Sequence, residues 1–359
     1  MAPVVQRLAQ TLGIESLVCA TAQHREMLDQ VLNVFGIVPT VDLDLMRPDQ
    51  SLAQITASIF TNLDPVIKDL KPDWLLAQGD TTTVMAAALL AYYNHVKFGH
   101  VEAGLRTGDK YQPFPEEINR RVAGVAADLH FAPTEWSKQN LLKENVPAGQ
   151  IIVTGNPVID ALKQVAKKPV PAEITRLLEM IGSKRLILVT AHRRENFGKP
   201  LENICAALKS LAETDGDQIH IVYPVHLNPN IKNVVHARLE ALSAHITLLP
   251  PLDYLPMVHL MKRASIVLTD SGGIQEEAPG FGVPVLVMRA TTERPEGVTA
   301  GTVKLVGTET ADIVEITRSL LENPSEYEKM ARAANPYGDG HASEKIVQAL
   351  LDYQNGADY

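Results

Sequence analysis

What most constrains this chain is an alternation that runs twice. Short apolar runs, of the kind that form buried parallel strands, are interleaved with amphipathic helical stretches. The first series has strand-like runs at Ser16–Ala20, Trp74–Ala77, Val96–Val101 and Ile151–Val153. Helical patterns at Arg25–Phe35, Leu52–Leu70, Thr83–Tyr93 and Ser137–Glu144 lie among them. A charged, proline-punctuated stretch, Ala166-Lys-Lys-Pro-Val-Pro-Ala172, interrupts the pattern. It restarts with Leu186–Thr190, Ile219–Tyr223, Ile246–Leu249, Ser265–Leu268 and Val283–Val287. Two such series joined by a linker predict two doubly wound α/β domains, and 359 residues suit two cores. One irregularity stands out. A doubly wound domain opens on a buried strand, yet Met1 leads straight into the helical pattern Val4-Val5-Gln6-Arg7-Leu8-Ala9, so the first strand is expected to be absent.

Composition narrows the function. A hydrophobic content of 45% with 21% charged residues is globular, and a formal net charge of −9 argues against nucleic acid as a partner. A local cationic pocket for phosphate stays compatible with that charge. Cys19 and Cys205 cannot build a disulfide framework and read as inert thiols in apolar runs. No apolar stretch approaches the ~20 residues that span a bilayer. With no signal-peptide pattern either, the expectation is a cytoplasmic protein with no membrane partner.

In doubly wound folds ligands bind at the carboxyl ends of the strands, so the residues just past each strand carry the chemistry. Gln78-Gly79-Asp80-Thr81-Thr82-Thr83 follows the second run; Gly79 permits a tight turn, and helix capping alone would account for Asp80. The next strand ends in His100-Val101-Glu102-Ala103-Gly104-Leu105-Arg106, where Glu102 is either chemical or half of an ion pair. A loop then ends in Phe114-Pro115-Glu116-Glu117-Ile118-Asn119-Arg120. Carboxylates in a first helical turn favour the dipole, a sufficient reason for Glu117 and an open question for Glu116. Asp80, Glu102 and Glu116 thus gather carboxyl groups of the kind that take a proton from carbon and return one.

In the second series His192 lies just past a strand, beside Arg193 and Arg194. Cations there suit a phosphate or carboxylate. His226, between two prolines, stays undecided. Thr269-Asp270-Ser271-Gly272-Gly273-Ile274-Gln275-Glu276-Glu277 turns from strand into helix. Ser271 and the two glycines let backbone N–H groups approach a pyrophosphate, and Glu277, a turn later, suits ribose hydroxyls. Arg289 and Arg294 add cations after the next strand.

Together these motifs closely resemble the non-hydrolysing UDP-N-acetylglucosamine 2-epimerases. The resemblance runs from Thr21-Ala22-Gln23-His24-Arg25, through the Asp80, Glu102, Glu116, His192 and Ser271 motifs, to Asn335-Pro336-Tyr337-Gly338-Asp339-Gly340. It implies a GT-B fold, two Rossmann-like domains facing a cleft. They would be an N-terminal domain over 1–166 and a UDP-binding domain over 173–335, with 336–359 returning to the first through a helix at Ala342–Tyr353. It implies reversible epimerisation at carbon 2 of UDP-N-acetylglucosamine to UDP-N-acetylmannosamine, by elimination of UDP and re-addition through 2-acetamidoglucal. No cofactor or metal is implied, and a homodimer is. Carried over residue by residue, Asp80, Glu102 and Glu116 are acid/base carboxylates and His192 contacts the leaving diphosphate. Ser271, Gly272 and Gly273 hold the phosphates, Glu277 the ribose, Arg294 the diphosphate side and the Met257 main chain the uracil. Gln23 and Arg193 match contacts of an activating second UDP-N-acetylglucosamine in some members, but Asp49 stands where those have arginine.

The chain departs from the family at its start. Members open with a strand and a Gly-Thr-Arg-Pro-Glu…Lys segment, whereas Met1-Ala2-Pro3-Val4 resembles an internal Met-Ala-Pro; a start codon placed too late is the expected cause. The rival readings are a catalytically impaired UDP-sugar-binding protein, a hydrolysing epimerase, or a GT-B glycosyltransferase.

Overall fold

The computed structural model describes residues 1–21, 25–45, 47 and 49–354. The chain divides into two compact units, Met1–Ala161 with Tyr337–Tyr359, and Leu162–Pro336. Each is a doubly wound α/β unit with parallel strands, as the double alternation predicts.

Unit 1 runs α1 (Ala2–Ala9), β1 (Cys19–Ala20), α2 (Arg25–Phe35), β2 (Val41–Asp42), α3 (Leu52–Leu70), β3 (Trp74–Gln78), α4 (Thr82–Tyr93) and β4 (Lys97–Val101). It continues through α5 (Glu116–Ala126), β5 (Leu129–Ala132), α6 (Glu135–Lys143), β6 (Ile151–Val153) and α7 (Pro157–Val165), which crosses the division. Unit 2 runs α8 (Ala172–Ile181), β7 (Arg185–Thr190), α9 (Lys199–Asp215), β8 (Ile219–Pro224), α10 (Pro229–Leu239), β9 (Ile246–Leu249) and α11 (Tyr254–Arg263). Then come β10 (Ile266–Thr269), α12 (Gly272–Glu277), β11 (Val285–Val287), α13 (Pro295–Ala300), β12 (Val303–Leu305), α14 (Thr310–Glu322) and α15 (Pro324–Ala331). The last helix, α16 (Ala342–Gln354), belongs to unit 1, where Ile346 and Leu350 share a buried cluster with Val4 of α1 and Val101 of β4.

Unit 2 forms one six-stranded sheet in the order β12-β11-β10-β7-β8-β9. The order reverses between β7 and β10, and ligands bind beyond the strand ends at such a switch point. Its core packs Ile187, Val189, Leu208, Tyr223 and Leu268, all fully buried. In unit 1 the strands form two separate sheets, β1-β2 and β3-β4-β5-β6. Where unit 2 has its first strand, β7, between β8 and β10, unit 1 has no strand between β1 and β3 among the described residues. A cavity of about 190 Å³ lies there, lined by Leu17, Val18, Cys19, Trp74, Leu75 and Leu76. The apolar run Trp74–Ala77, which reads as a central strand, is accordingly only half-buried. The strand expected over Ser16–Ala20 is two residues long, and among the described residues β1 pairs with β2 alone. Among the described residues no helix is long and apolar enough to cross a membrane.

Candidate active site

In unit 1 the candidate residues gather around the carboxyl ends of β3 and β4. Gly79 leaves β3 at φ 88°, with its N–H bonded to Val101 O at 3.0 Å, and His100 closes the turn with Nε2 2.7 Å from Gly79 O. Burial holds the His100 pKa down at about 4, so the ring is neutral at physiological pH and donates that bond. The turn aims Asp80 at Arg120. Arg120 Nε and Nη2 both donate to Asp80 Oδ2, at 2.9 and 2.8 Å, and Nη1 donates to Glu117 at 3.1 Å. Asn119 Nδ2 donates to Asp80 O at 2.9 Å.

Glu102 follows β4 with φ 62°, a left-handed conformation that costs a non-glycine residue about 1 kcal/mol or more. Gln78 Nε2 donates to its Oε2 at 3.1 Å and Asn156 Nδ2 to its Oε1 at 3.2 Å. The carboxylate lies against Gly79, where a Cβ would sit 3.8 Å from Oε2. Asp80 and Glu102 therefore flank one glycine turn. Asp80 is held by Arg120, α4 is capped by Thr81 without a side-chain bond, and Arg106 pairs with Glu144 at 2.8 Å. Glu116 is the first residue of α5, half-buried, on the helix whose Asn119 and Arg120 hold Asp80. Its neighbour Glu117 does more than meet a helix dipole. It is 0% exposed and accepts from Thr107 N, Gly108 N, Arg120 and Arg121.

In unit 2 the candidate residues cluster at the switch point between β7 and β10. Ser271 precedes α12; its N–H bonds Thr269 Oγ1 at 2.9 Å. Gly272 and Gly273 open the helix, so their amides have no intrahelical acceptor. A Cβ on Gly272 would lie 3.6 Å from Arg193 Nη2 and 3.9 Å from Arg294 Nη2, and nothing stands within 4 Å of one on Gly273. Two guanidinium groups thus border a glycine turn, a cradle suited to an anion. Arg294 is tethered by Glu276, while Arg193 and Arg289 both reach Glu293 Oε1, at 3.6 and 3.5 Å. His192 stacks on His226 with centroids 5.9 Å apart, and burial lowers its pKa against the opposing pull of Asp270.

Glu277 ends α12. Burial, and then the charge of Glu276, push its pKa up to about 8. The Tyr254 phenol on α11 is raised by burial first and by the Glu277 charge second, which sets α11 beside that carboxyl. Met257 lies one turn along α11, with its N–H spent on Asp253 O at 3.2 Å. Gln23 lies outside the described residues.

Sequence reasoning missed the residues that hold these groups: Arg120, Gln78, Asn156 and Asp270. Asn156 and Asp270 each sit just past a strand, so the strand-end rule could have found them. Arg120 carried only the weaker signal of standing three residues after Glu117 on one helix.

A family profile described as UDP-N-acetylglucosamine 2-epimerase matches residues 6–351. The chain is 53% identical over 357 residues to the UDP-N-acetylglucosamine 2-epimerase of Escherichia coli K12, covering 98% of this chain and 94% of the relative. It resembles the crystal structure of UDP-GlcNAc 2-epimerase from Neisseria meningitidis bound to UDP-GlcNAc, at 50% identity and a TM-score of 0.89, over 98% of this chain and 96% of that one. The Methanocaldococcus jannaschii enzyme, solved in complex with UDP-GlcNAc and UDP, matches at 30% identity and a TM-score of 0.76, over 98% and 95%.

Proposed function

Because this chain belongs to the UDP-N-acetylglucosamine 2-epimerase family, enzymes of the isomerase class, we propose that it interconverts UDP-N-acetylglucosamine and UDP-N-acetylmannosamine without net hydrolysis, through 2-acetamidoglucal. One observation carries the reading. Two carboxylates flank the Gly79 turn with unlike holders, Asp80 in a guanidinium fork and Glu102 between two side-chain amides. A reaction that removes a carbon-bound proton and returns one to the opposite face needs two such groups with different tasks.

In the first step a carboxylate among Asp80, Glu102 and Glu116 takes the proton from carbon 2. The electron pair forms the carbon 1–carbon 2 double bond, and the carbon 1–oxygen bond to phosphate breaks. UDP leaves with its charge met by His192, by the amides of the Ser271-Gly272-Gly273 turn and by Arg294, while Glu277 takes the ribose and Met257 borders the uracil. In the second step the phosphate oxygen re-attacks carbon 1 and a carboxyl group on the other face protonates carbon 2. The sugar keeps its oxidation state, so no redox partner enters. We place the reaction in the cytoplasm and in a homodimer, with Gln23 and Arg193 as contacts for a second UDP-N-acetylglucosamine.

Proton NMR of the products tests the reading. Accumulation of UDP-linked N-acetylmannosamine supports it, and stoichiometric free N-acetylmannosamine with UDP sinks it in favour of a hydrolysing enzyme.

A further inference from the structure

The Thr269-Asp270-Ser271 turn contains one buried charge to which the mechanism above gives no task. Asp270 is 0% exposed and follows β10 directly. Neighbouring strands fix it relative to His192: Thr269 pairs with Thr190 in register, and Asp270 N donates to Thr190 O at 3.1 Å. Its Oδ2 accepts three donors, His192 N–H at 2.8 Å, Arg193 N–H at 2.8 Å and Asn196 Nδ2 at 3.0 Å. Its Oδ1 is equally buried, has no hydrogen-bond partner among the described residues, and lies 3.6 Å from His192 Nδ1.

We propose that Asp270 is the positioning residue of His192: Oδ2 fixes the backbone that carries the imidazole, and Oδ1 keeps the ring proton on Nδ1, leaving Nε2 as the atom that meets the leaving diphosphate. This rests on the reading of His192 as a diphosphate-side group. A neutral imidazole has one N–H. Placed on Nδ1, it faces the orphaned oxygen; placed on Nε2, it leaves the Nδ1 lone pair opposed to a desolvated carboxylate oxygen, which is costly. The 3.6 Å gap is longer than a hydrogen bond, and such contacts tighten when substrate closes a site.

The other groups facing the ring agree. His226 stacks on it at an interplanar angle of 15°, and His226 Nδ1 accepts from Asn228 N–H at 3.0 Å, so a neutral His226 keeps its own proton on Nε2. Burial, His226 and Arg193 all oppose a charged His192, and Asp270 favours it. Asp270 is thus the group that lets Nε2 take up a proton and then donate to a phosphate oxygen, with the resulting charge shared through Nδ1–H.

Nitrogen-15 NMR of histidine-labelled protein tests this, with His192 assigned by its loss in His192→Gln. The expected result is an Nδ1–H tautomer in the unsubstituted enzyme at alkaline pH. Asp270→Asn, whose amide nitrogen would donate towards the ring, should convert it to Nε2–H. The same variant should lose about 100-fold in kcat and shift the limb of the rate profile that reports His192 to lower pH, with UDP affinity held within about threefold. An Nε2–H tautomer in the unsubstituted enzyme overturns the proposal, as does a folded Asp270→Asn with an unchanged tautomer and rate profile. The unsubstituted spectrum decides the matter even if that variant does not fold. It also needs no turnover, so a chain that fails to epimerise yet shows Nδ1–H loses the functional reading and keeps this one.

Discussion

Arg120 holds Asp80 and Glu117 at once, with two nitrogens on one Asp80 oxygen at 2.9 and 2.8 Å and a third on Glu117 at 3.1 Å. The guanidinium is the bridge between a buried structural carboxylate and a candidate catalytic one. Its planar fork makes this possible, because an ammonium group is a point charge and cannot serve both in fixed geometry.

Arg120→Met should therefore damage stability and turnover together. It leaves Glu117 buried with fewer donors, and breaking a buried pair from one side costs about 3–5 kcal/mol. Arg120→Lys should recover part of the stability and little of the activity. Urea unfolding alongside steady-state rates checks both; an Arg120→Lys enzyme with full turnover would show that the fork does not matter.

The proposed phosphate role of the Gly272 turn makes a separate prediction. Valine at position 272 would put its Cβ in ordinary contact with Arg193 and Arg294, 3.6 and 3.9 Å away, so the backbone should tolerate it. Its two methyl groups would occupy the space that phosphate oxygens need. Gly272→Val should weaken UDP binding about tenfold or more, roughly 1.4 kcal/mol, at nearly unchanged melting temperature. Calorimetry giving the original affinity would remove this turn from the site.

Glu277 predicts a pH dependence with a definite sign. Its carboxyl titrates at about 8 in the fold against an ordinary 4.5, so across that window the folded chain keeps a proton that the unfolded chain has lost. Stability contributed by this group is present below 4.5, falls as pH rises towards 8, and changes no further above it. Glu277→Gln stays neutral throughout. Its ligand-free melting temperature should rise relative to the unsubstituted protein between pH 5 and pH 9. A difference that stays constant with pH would contradict the burial argument.

The sequence made the fold legible because parallel strands buried on both faces are continuous apolar runs, and because a strand-end rule points to the residues after them. The placement of Asp80, Glu102, His192 and Ser271 just past strand ends was readable on that ground. β5 escaped, since Leu129-His130-Phe131-Ala132 carries a histidine that burial keeps neutral, with its pKa near 3. β12 escaped because Val303-Lys304-Leu305 is a three-residue edge strand at the end of its sheet. The partners that orient the carboxylates lie far off in the chain: Asn156 reaches Glu102 across 54 residues and Arg120 reaches Asp80 across 40. Pairings at that separation are products of tertiary packing and leave no local pattern.

Elimination through 2-acetamidoglucal requires that the hydrogen on carbon 2 leave and a solvent-derived one replace it. The most direct test is turnover in deuterium oxide, followed by proton NMR at carbon 2 of the UDP-N-acetylmannosamine formed. The account predicts deuterium at that carbon in every product molecule. It also predicts loss of turnover by about 100- to 10,000-fold in Glu102→Gln, with UDP still bound. Epimerised product that retains its original hydrogen at carbon 2 would contradict elimination.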